Sequence, residues 1–352
     1  MSEQYKENIN AGRIGMEEKN YQEEILKLQG EVENLKNELK QNAITMREIT
    51  QIISSYADVI EGLLEKNELY RIKIDNLPYE IADGVKKDMY WIPEIMTVEE
   101  TIDAIVNEHK SICRFGDGEI GIIYNIQRWK FQGCDFKLSE RLREVILSND
   151  ENIMIGINDF YGNLSHRSEE DRDPIRRYII PEVREQHYAL LQRNRVYANA
   201  RMSRNWTMEM ALNQKRIWEG KECVFIEGDK TRMGVGNDLF DNAMSIERIL
   251  CPSENAFDRY EEIFAEAVKM PRNKLFLIAL GPTASVLAYD LAKAGYQAID
   301  LGHADLSYEW LKKNNGKKTA VTNKYNNEYP DGDIVEDIVD KEYESQIIAD
   351  FS

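Results

Sequence analysis

The sequence predicts an α/β fold: a Rossmann-like, mostly parallel sheet with helices on both faces, preceded by an N-terminal α-helical coiled coil. Three observations predict it. Between about residues 97 and 316, short β-branched runs alternate with helical patterns, as they do when crossover units build a parallel sheet. From Ile25 to Tyr70 apolar residues keep a 3-4 spacing through six heptads. Several apolar runs end directly in glycine-containing turns, the places where open parallel sheets bind ligands.

Composition narrows the function classes. The chain has 352 residues, enough for one large domain or two ordinary ones, and 42% are hydrophobic, enough for a sizeable core. A net charge of −18 argues against nucleic acid or an anionic membrane as partner, so a phosphate-bearing ligand needs a local pocket or a metal. Cys113, Cys134, Cys223 and Cys251 form no CxxC pair, which suits reduced thiols. The polar start Met1-Ser2-Glu3-Gln4 and the lack of an apolar run near 20 residues predict a cytoplasmic protein without a transmembrane segment.

In chain order, residues 1–72 carry the coiled coil. Ile25, Val32, Leu39, Met46, Ile53, Ile60 and Asn67 occupy a positions; Leu28, Leu35, Asn42, Ile49, Tyr56, Leu63 and Tyr70 occupy d positions. Such a seam needs a partner, either the chain's own globular domain or, as favoured here, a second copy, which makes a homo-oligomer the expectation. Residues 73–96, with Pro78, Gly84 and Pro93, read as a linker. Thr97-Val98-Glu99-Glu100 is a capping-box pattern opening a helix to about His109. Strands are expected at Ile112–Phe115, Ile153–Ile157, Arg195–Ala198, Cys223–Ile226, Ile246–Leu250, Leu275–Leu280 and Ala298–Leu301. Helices are expected near Ser139–Leu147, Pro181–Gln192, Trp206–Glu219, Ala256–Val268 and Ala284–Ala294. The domain spans 97–316, and 317–352 reads as an acidic, partly disordered tail.

Four strand exits concentrate the chemistry. After Ile112–Phe115, which contains Arg114, comes Gly116-Asp117-Gly118-Glu119. A turn at Gly118 would let Asp117 and Glu119 converge on Mg²⁺ or Mn²⁺, which bridges carboxylates and substrate phosphates; the alternative is a plain Asp-Gly hairpin. After Cys223–Ile226 comes Glu227 to Asp238, in which Lys230 and Arg232 are cations and Gly234 and Gly236 free backbone N–H groups to face an anion. It is neither a Walker loop nor a complete dinucleotide fingerprint. After Lys274–Leu280, Gly281-Pro282-Thr283 leads into a helix whose amino end suits a phosphate. After Ala298–Leu301, Gly302-His303 places a histidine at a strand end, as a metal ligand, a general base or a structural group.

Arg114-Phe115-Gly116-Asp117-Gly118-Glu119, Glu227-Gly228 with Thr231-Arg232 and Gly234 to Phe240, Ala279-Leu280-Gly281-Pro282-Thr283-Ala284, and Asp300-Leu301-Gly302-His303 occur in that order. Over about Thr97 to Trp310 the sequence therefore resembles the bacterial GT-D-fold glycosyltransferases. The resemblance implies a Rossmann-like, metal-dependent transferase moving a sugar from a UDP-sugar donor, with glucose-like specificity, to a glycan or glycoprotein acceptor. Asp117 and Glu119 match the family's D-x-E metal motif, His303 is a candidate third ligand or base, and Arg114, Gly116, Ser203, Arg204, Lys230, Arg232, Gly234, Gly236, Asn237, Gly281 and Thr283 are the expected donor contacts. Ser203-Arg204 fits a Ser/Thr-Arg-Pro-Tyr pattern, but Asn205 and Trp206 depart from it. Trp129, between Arg128 and Lys130, is a candidate sugar-stacking ring or a half-buried tryptophan. Competing readings are a metal-dependent phosphohydrolase and a non-catalytic nucleotide-sugar-binding module on a coiled-coil scaffold.

Overall fold

The structure, a computed structural model, describes residues 3–85, 92–125, 132–158, 164, 172–173, 175–176, 181–204, 207–326, 328–329 and 332–352. The chain divides into two units, 1–71 and 72–352. Within the first, the helix α1 (Glu3–Val85) begins, and its heptad residues stand in solvent, with Leu39 69% and Ile53 63% exposed. No helix among the described residues is long and apolar enough to cross a membrane.

The second unit holds a nine-stranded sheet in which every pair is parallel, in the order β1-β4-β3-β2-β8-β7-β5-β6-β9. Its strands are β1 (Glu94–Ile95), β2 (Ser111–Phe115), β3 (Ile153–Ile157), β4 (Val196–Asn199), β5 (Glu222–Gly228), β6 (Ser245–Cys251), β7 (Leu275–Ala279), β8 (Gln297–Asp300) and β9 (Ile347–Asp350). The inner strands are buried on both faces, which explains their near-continuous apolar runs. Alternation along each strand divides the core. Cys113, Ile155, Ile226 and Ile278 face α4 (Phe136–Leu147), α7 (Tyr260–Ala267) and α8 (Pro282–Lys293), while α5 (Pro181–Leu190) runs between β3 and β4 in the chain. Ile112, Met154, Phe225 and Leu277 face α2 (Val98–Asn107), α6 (Met208–Lys215) and α9 (Ala304–Asn314). The Thr97 capping box forms as its spacing predicts, with reciprocal bonds to Glu100.

Four expectations are corrected. Residues 73–96 are not simply a linker: α1 continues to Val85, Ile72 and Asn76 on it are buried, and Asn76 Nδ2 donates to the Ile72 carbonyl. Lys73 pairs with Asp173 at 3.2 Å, and β1 then joins the sheet beside β4. No hairpin or turn forms at Gly118, which lies inside α3 (Asp117–Ile123). The stretch 317–352 is not a loose tail. Its α10 (Lys341–Gln346) is capped by Asp340, and β9 pairs with β6. Arg248 fastens this end, lying 4.8 Å from the centre of the Tyr343 ring and donating to Gln346 Oε1 at 2.7 Å. Finally, α3 and α9 are helices that sequence periodicity missed, because both begin at the strand-exit motifs.

Candidate active site

The strand order places a crevice between β2 and β8. The chain leaving β2 enters α3 and α4, which pack on one face; the chain leaving β8 enters α9, which packs on the other. Loops that diverge at the carboxyl ends of neighbouring parallel strands open a cleft, and ligands of such sheets bind there. Asp117, Glu119, Asp300 and His303 all stand at these two exits.

Asp117 and Glu119 form the first turn of α3, with Gly116 as its N-cap. Glu119 Oε2 accepts the Gly116 N–H at 2.7 Å. Burial first, then the negative charges of Asp300 and Asp117, outweigh that bond and push the Glu119 carboxyl up to about 7. The site is thus an excess of negative charge at a partly buried helix start. A Cβ at Gly118 would sit 3.5 Å from Pro282 Cγ, so the amino ends of α3 and α8 are neighbours. Gly281, with φ +53°, caps α8, and Thr283 is buried, its hydroxyl 3.4 Å from Gln132 Oε1.

Arg114 does not stand free for a substrate. Its Nε and Nη2 donate to the Asp300 carbonyl at 2.6 Å and to Asp300 Oδ1 at 2.8 Å, and its Nη1 donates to Ser203 Oγ at 2.6 Å. It therefore ties the ends of β2 and β8 to the turn after β4, and Ser203, fully buried, is part of that tie. Gly302 exists for this contact. A Cβ there would lie 2.0 Å from Arg114 Nη2, and its φ of +51° disfavours other residues.

His303 and Arg204 meet on a residue that sequence reasoning did not select. Glu328 Oε1 lies 2.7 Å from His303 Nδ1 and 2.6 Å from Arg204 Nη2, and Lys318 reaches Glu328 Oε2 at 2.6 Å. Burial alone would raise the Glu328 carboxyl, but Arg204 and His303 hold it well below the usual carboxylate range. No sequence signal marked Glu328, because the loop that carries it has no periodicity. Asp300 was visible inside the Asp-Leu-Gly-His motif, but its role as the Arg114 partner was not.

The glycine-rich exit of β5 is built differently from the expectation. Arg232 is buried and donates Nη1 to the carbonyls of Asn323 and Glu336, at 2.9 and 2.7 Å. The Gly234 N–H donates to Asp305 Oδ1 at 2.9 Å, and Asn237 Nδ2 bonds both Asp305 and Glu309. Lys324, wholly buried, closes the cluster on the same two carboxylates. These groups hold the 317–336 segment to α9 and the β5 loop instead of facing a diphosphate. Gly236 and Lys230 remain exposed. Trp129, Asn205 and Trp206 lie outside the described residues.

Among the described residues no three His, Cys, Asp or Glu side chains are placed to share a cation. His303 is therefore not grouped with Asp117 and Glu119, and its Nδ1 is taken by Glu328.

Comparison with known proteins identifies the family of this fold. The profile of the family described as "Glycosyltransferase GT-D fold" matches residues 112–329, from β2 through the loop bearing Glu328. The chain belongs to this family. It is 33% identical over 267 residues to "Probable glycosyl transferase Gly" of Streptococcus gordonii, covering 73% of this chain. It is 34% identical over 284 residues to "Glycosyltransferase GlyD" of Streptococcus pneumoniae serotype 4, covering 75%. The chain spans only 39% and 34% of the lengths of those two relatives. Among solved structures it superposes on "A New Glycosyltransferase (DUF1792) from Streptococcus sanguinis" with a TM-score of 0.69 at 32% identity, over 74% of this chain and 100% of that one. A second, titled "The highly conserved domain of unknown function 1792 has a distinct glycosyltransferase fold", gives 0.69 at 34% identity, over 74% and 96%. The GT-D match includes the 317–329 segment, in keeping with its buried contacts here.

Proposed function

We propose that this GT-D protein is a nucleotide-sugar-dependent hexosyltransferase that moves a sugar, glucose-like in the first instance, from a UDP-sugar to a glycan or glycoprotein acceptor. The observation that carries the reading is the carboxylate pair Asp117 and Glu119 at the amino end of α3, in the β2/β8 crevice of a GT-D chain. The donor set is all hard oxygen, and Glu119 raised to about 7 marks a site where positive charge is missing, so the residues fit Mg²⁺ or Mn²⁺. Such an ion would neutralise a departing diphosphate as a Lewis acid. Asp117 and Glu119 would hold the ion, and because two carboxylates alone would leave it short of oxygen donors, cation and nucleotide would be expected to bind together.

The chain's own residues do the rest. The amino end of α8, beside that of α3, favours an anion through its helix dipole. Glu328 accepts the Nδ1–H of His303, which leaves Nε2 as the basic nitrogen suited to take the acceptor hydroxyl's proton. Arg204, held by the same carboxylate, brings a cation to the crevice rim. A cytoplasmic location and self-association through α1 belong to this proposal.

The test is a donor screen. The full chain is incubated with a panel of UDP-sugars, with Mn²⁺, Mg²⁺ or chelator, and UDP release is read alongside sugar transfer. Metal-dependent UDP release with one sugar preferred is expected. Phosphate release regardless of the sugar would replace the reading with a hydrolase, and binding without turnover would replace it with a non-catalytic module.

A further inference from the structure

The a and d residues of the α1 seam are exposed, and the composition of the helix changes along its length. Every a and d aliphatic residue from Ile25 to Leu63 is at least 45% exposed. In the first half the flanking e and g positions are polar: Glu24, Gln29, Glu31, Lys36 and Glu38. From Ala43 to Leu64 they become Ala43, Thr45, Thr50, Ile52, Ala57, Val59 and Leu64, with no charge among them. The same helix thus presents a narrow charged-edge seam and then a broad apolar face.

We infer that a second copy of this chain covers the seam, parallel and in register. The inference rests on the self-association proposed above and adds its orientation. Parallel pairing sets the broad half against the broad half and places Glu31 beside Lys36 of the next copy, an attractive g–e′ pair. It also stacks polar on polar: Asn42 at d faces Asn42, and Asn67 at a faces Asn67, so each buried amide finds a partner.

The alternatives fail on these residues. A shift by one heptad sets Asn42 against Leu35 or Ile49, leaving an amide buried among aliphatic groups. A fully overlapping antiparallel pair sets Asn42 against Ile53 and Asn67 against Leu28. It also places Glu31 and Glu38 beside Val59 and Ile52 of the other helix, charge against apolar surface. The one like-charged contact in the parallel arrangement, Lys66 beside Arg71, is softened within each helix, where Arg71 pairs with Glu68 at 2.8 Å.

Two measurements on the full chain separate orientation from association. Light scattering should give at least twice the chain mass. In a Cys134→Ser background, which removes the exposed native thiol, Leu35→Cys should form a disulfide with itself under mild oxidation, shown as a doubled mass on a non-reducing gel. Leu28→Cys repeats the test two layers away should the first variant fold poorly. Mixing Leu35→Cys with Ile60→Cys should yield no mixed species, because only antiparallel helices bring those positions together. An oligomer that cross-links 35 to 60 and not 35 to 35 overturns the parallel register. A monomeric mass overturns self-association itself.

Discussion

His303 Nδ1 and Glu328 Oε1 lie 2.7 Å apart, joining the turn after β8 to a loop that carries no sequence signature of its own. The same carboxylate binds Arg204 from the turn after β4. One acidic side chain therefore sets the position of both His303 and Arg204.

Glu328→Gln keeps the shape and removes the charge. It should cost about 1.5–3 kcal/mol of stability and roughly 10- to 100-fold in turnover. Because the folded carboxyl is held low, its stabilising share is complete above the ordinary glutamate pKa and is lost as the solution is acidified below it. Thermal melts of wild type and variant should therefore differ at neutral pH and converge in acid. A constant gap would mean that the charge is not what stabilises the contact.

Asp117→Asn and Glu119→Gln should remain folded, lose nearly all turnover and lose the metal dependence of UDP binding. Wild-type turnover by either variant with Mn²⁺ supplied would remove that residue from the metal site. Calorimetry with UDP, with and without Mn²⁺, checks binding separately from chemistry.

The raised Glu119 carboxyl predicts how cation binding varies with pH. A carboxyl whose folded pKa is raised opposes folding once ionised; the penalty grows as pH rises from the unfolded value to about 7 and is then constant. A divalent cation offsets it and competes with the proton. The rise in melting temperature on adding Mn²⁺ with UDP should therefore be larger at pH 8 than at pH 5.5. Glu119→Gln should flatten that difference.

Gly302→Ala forces a methyl group to within 2.0 Å of Arg114 Nη2 at a left-handed backbone position. The combined cost should be about 2–4 kcal/mol, read as a clear drop in the denaturant midpoint. An unchanged midpoint would mean that Arg114 moves aside freely and does not tie β2 to β8.

Arg232→Ala should act on the fold and not on the donor. Losing its bonds to the Asn323 and Glu336 carbonyls should cost about 1–3 kcal/mol, while UDP affinity stays within about two-fold. A 10-fold or greater loss of UDP affinity would return Arg232 to the diphosphate site.

Local patterns determined much of this protein. Seven strands were legible because parallel strands buried on both faces must be almost wholly apolar, as in Cys223-Val224-Phe225-Ile226. The capping box at Thr97 and the heptads of α1 were legible because their spacing is a property of the helix itself. Asp117 and Glu119, proposed here as metal ligands, stand out because two carboxylates spaced by a glycine at a strand exit are a local feature. What only the tertiary structure decided is which polar groups meet. Arg114 and Arg232 are equally cationic in the sequence, yet folding spends both on internal carbonyls and carboxylates. Glu328, Lys324 and β9 belong to a polar stretch with no period, and their places depend on partners far along the chain: His303, Asp305 and β6. A buried charge is tolerated only where the fold supplies its counter-charge, and no local pattern encodes that pairing.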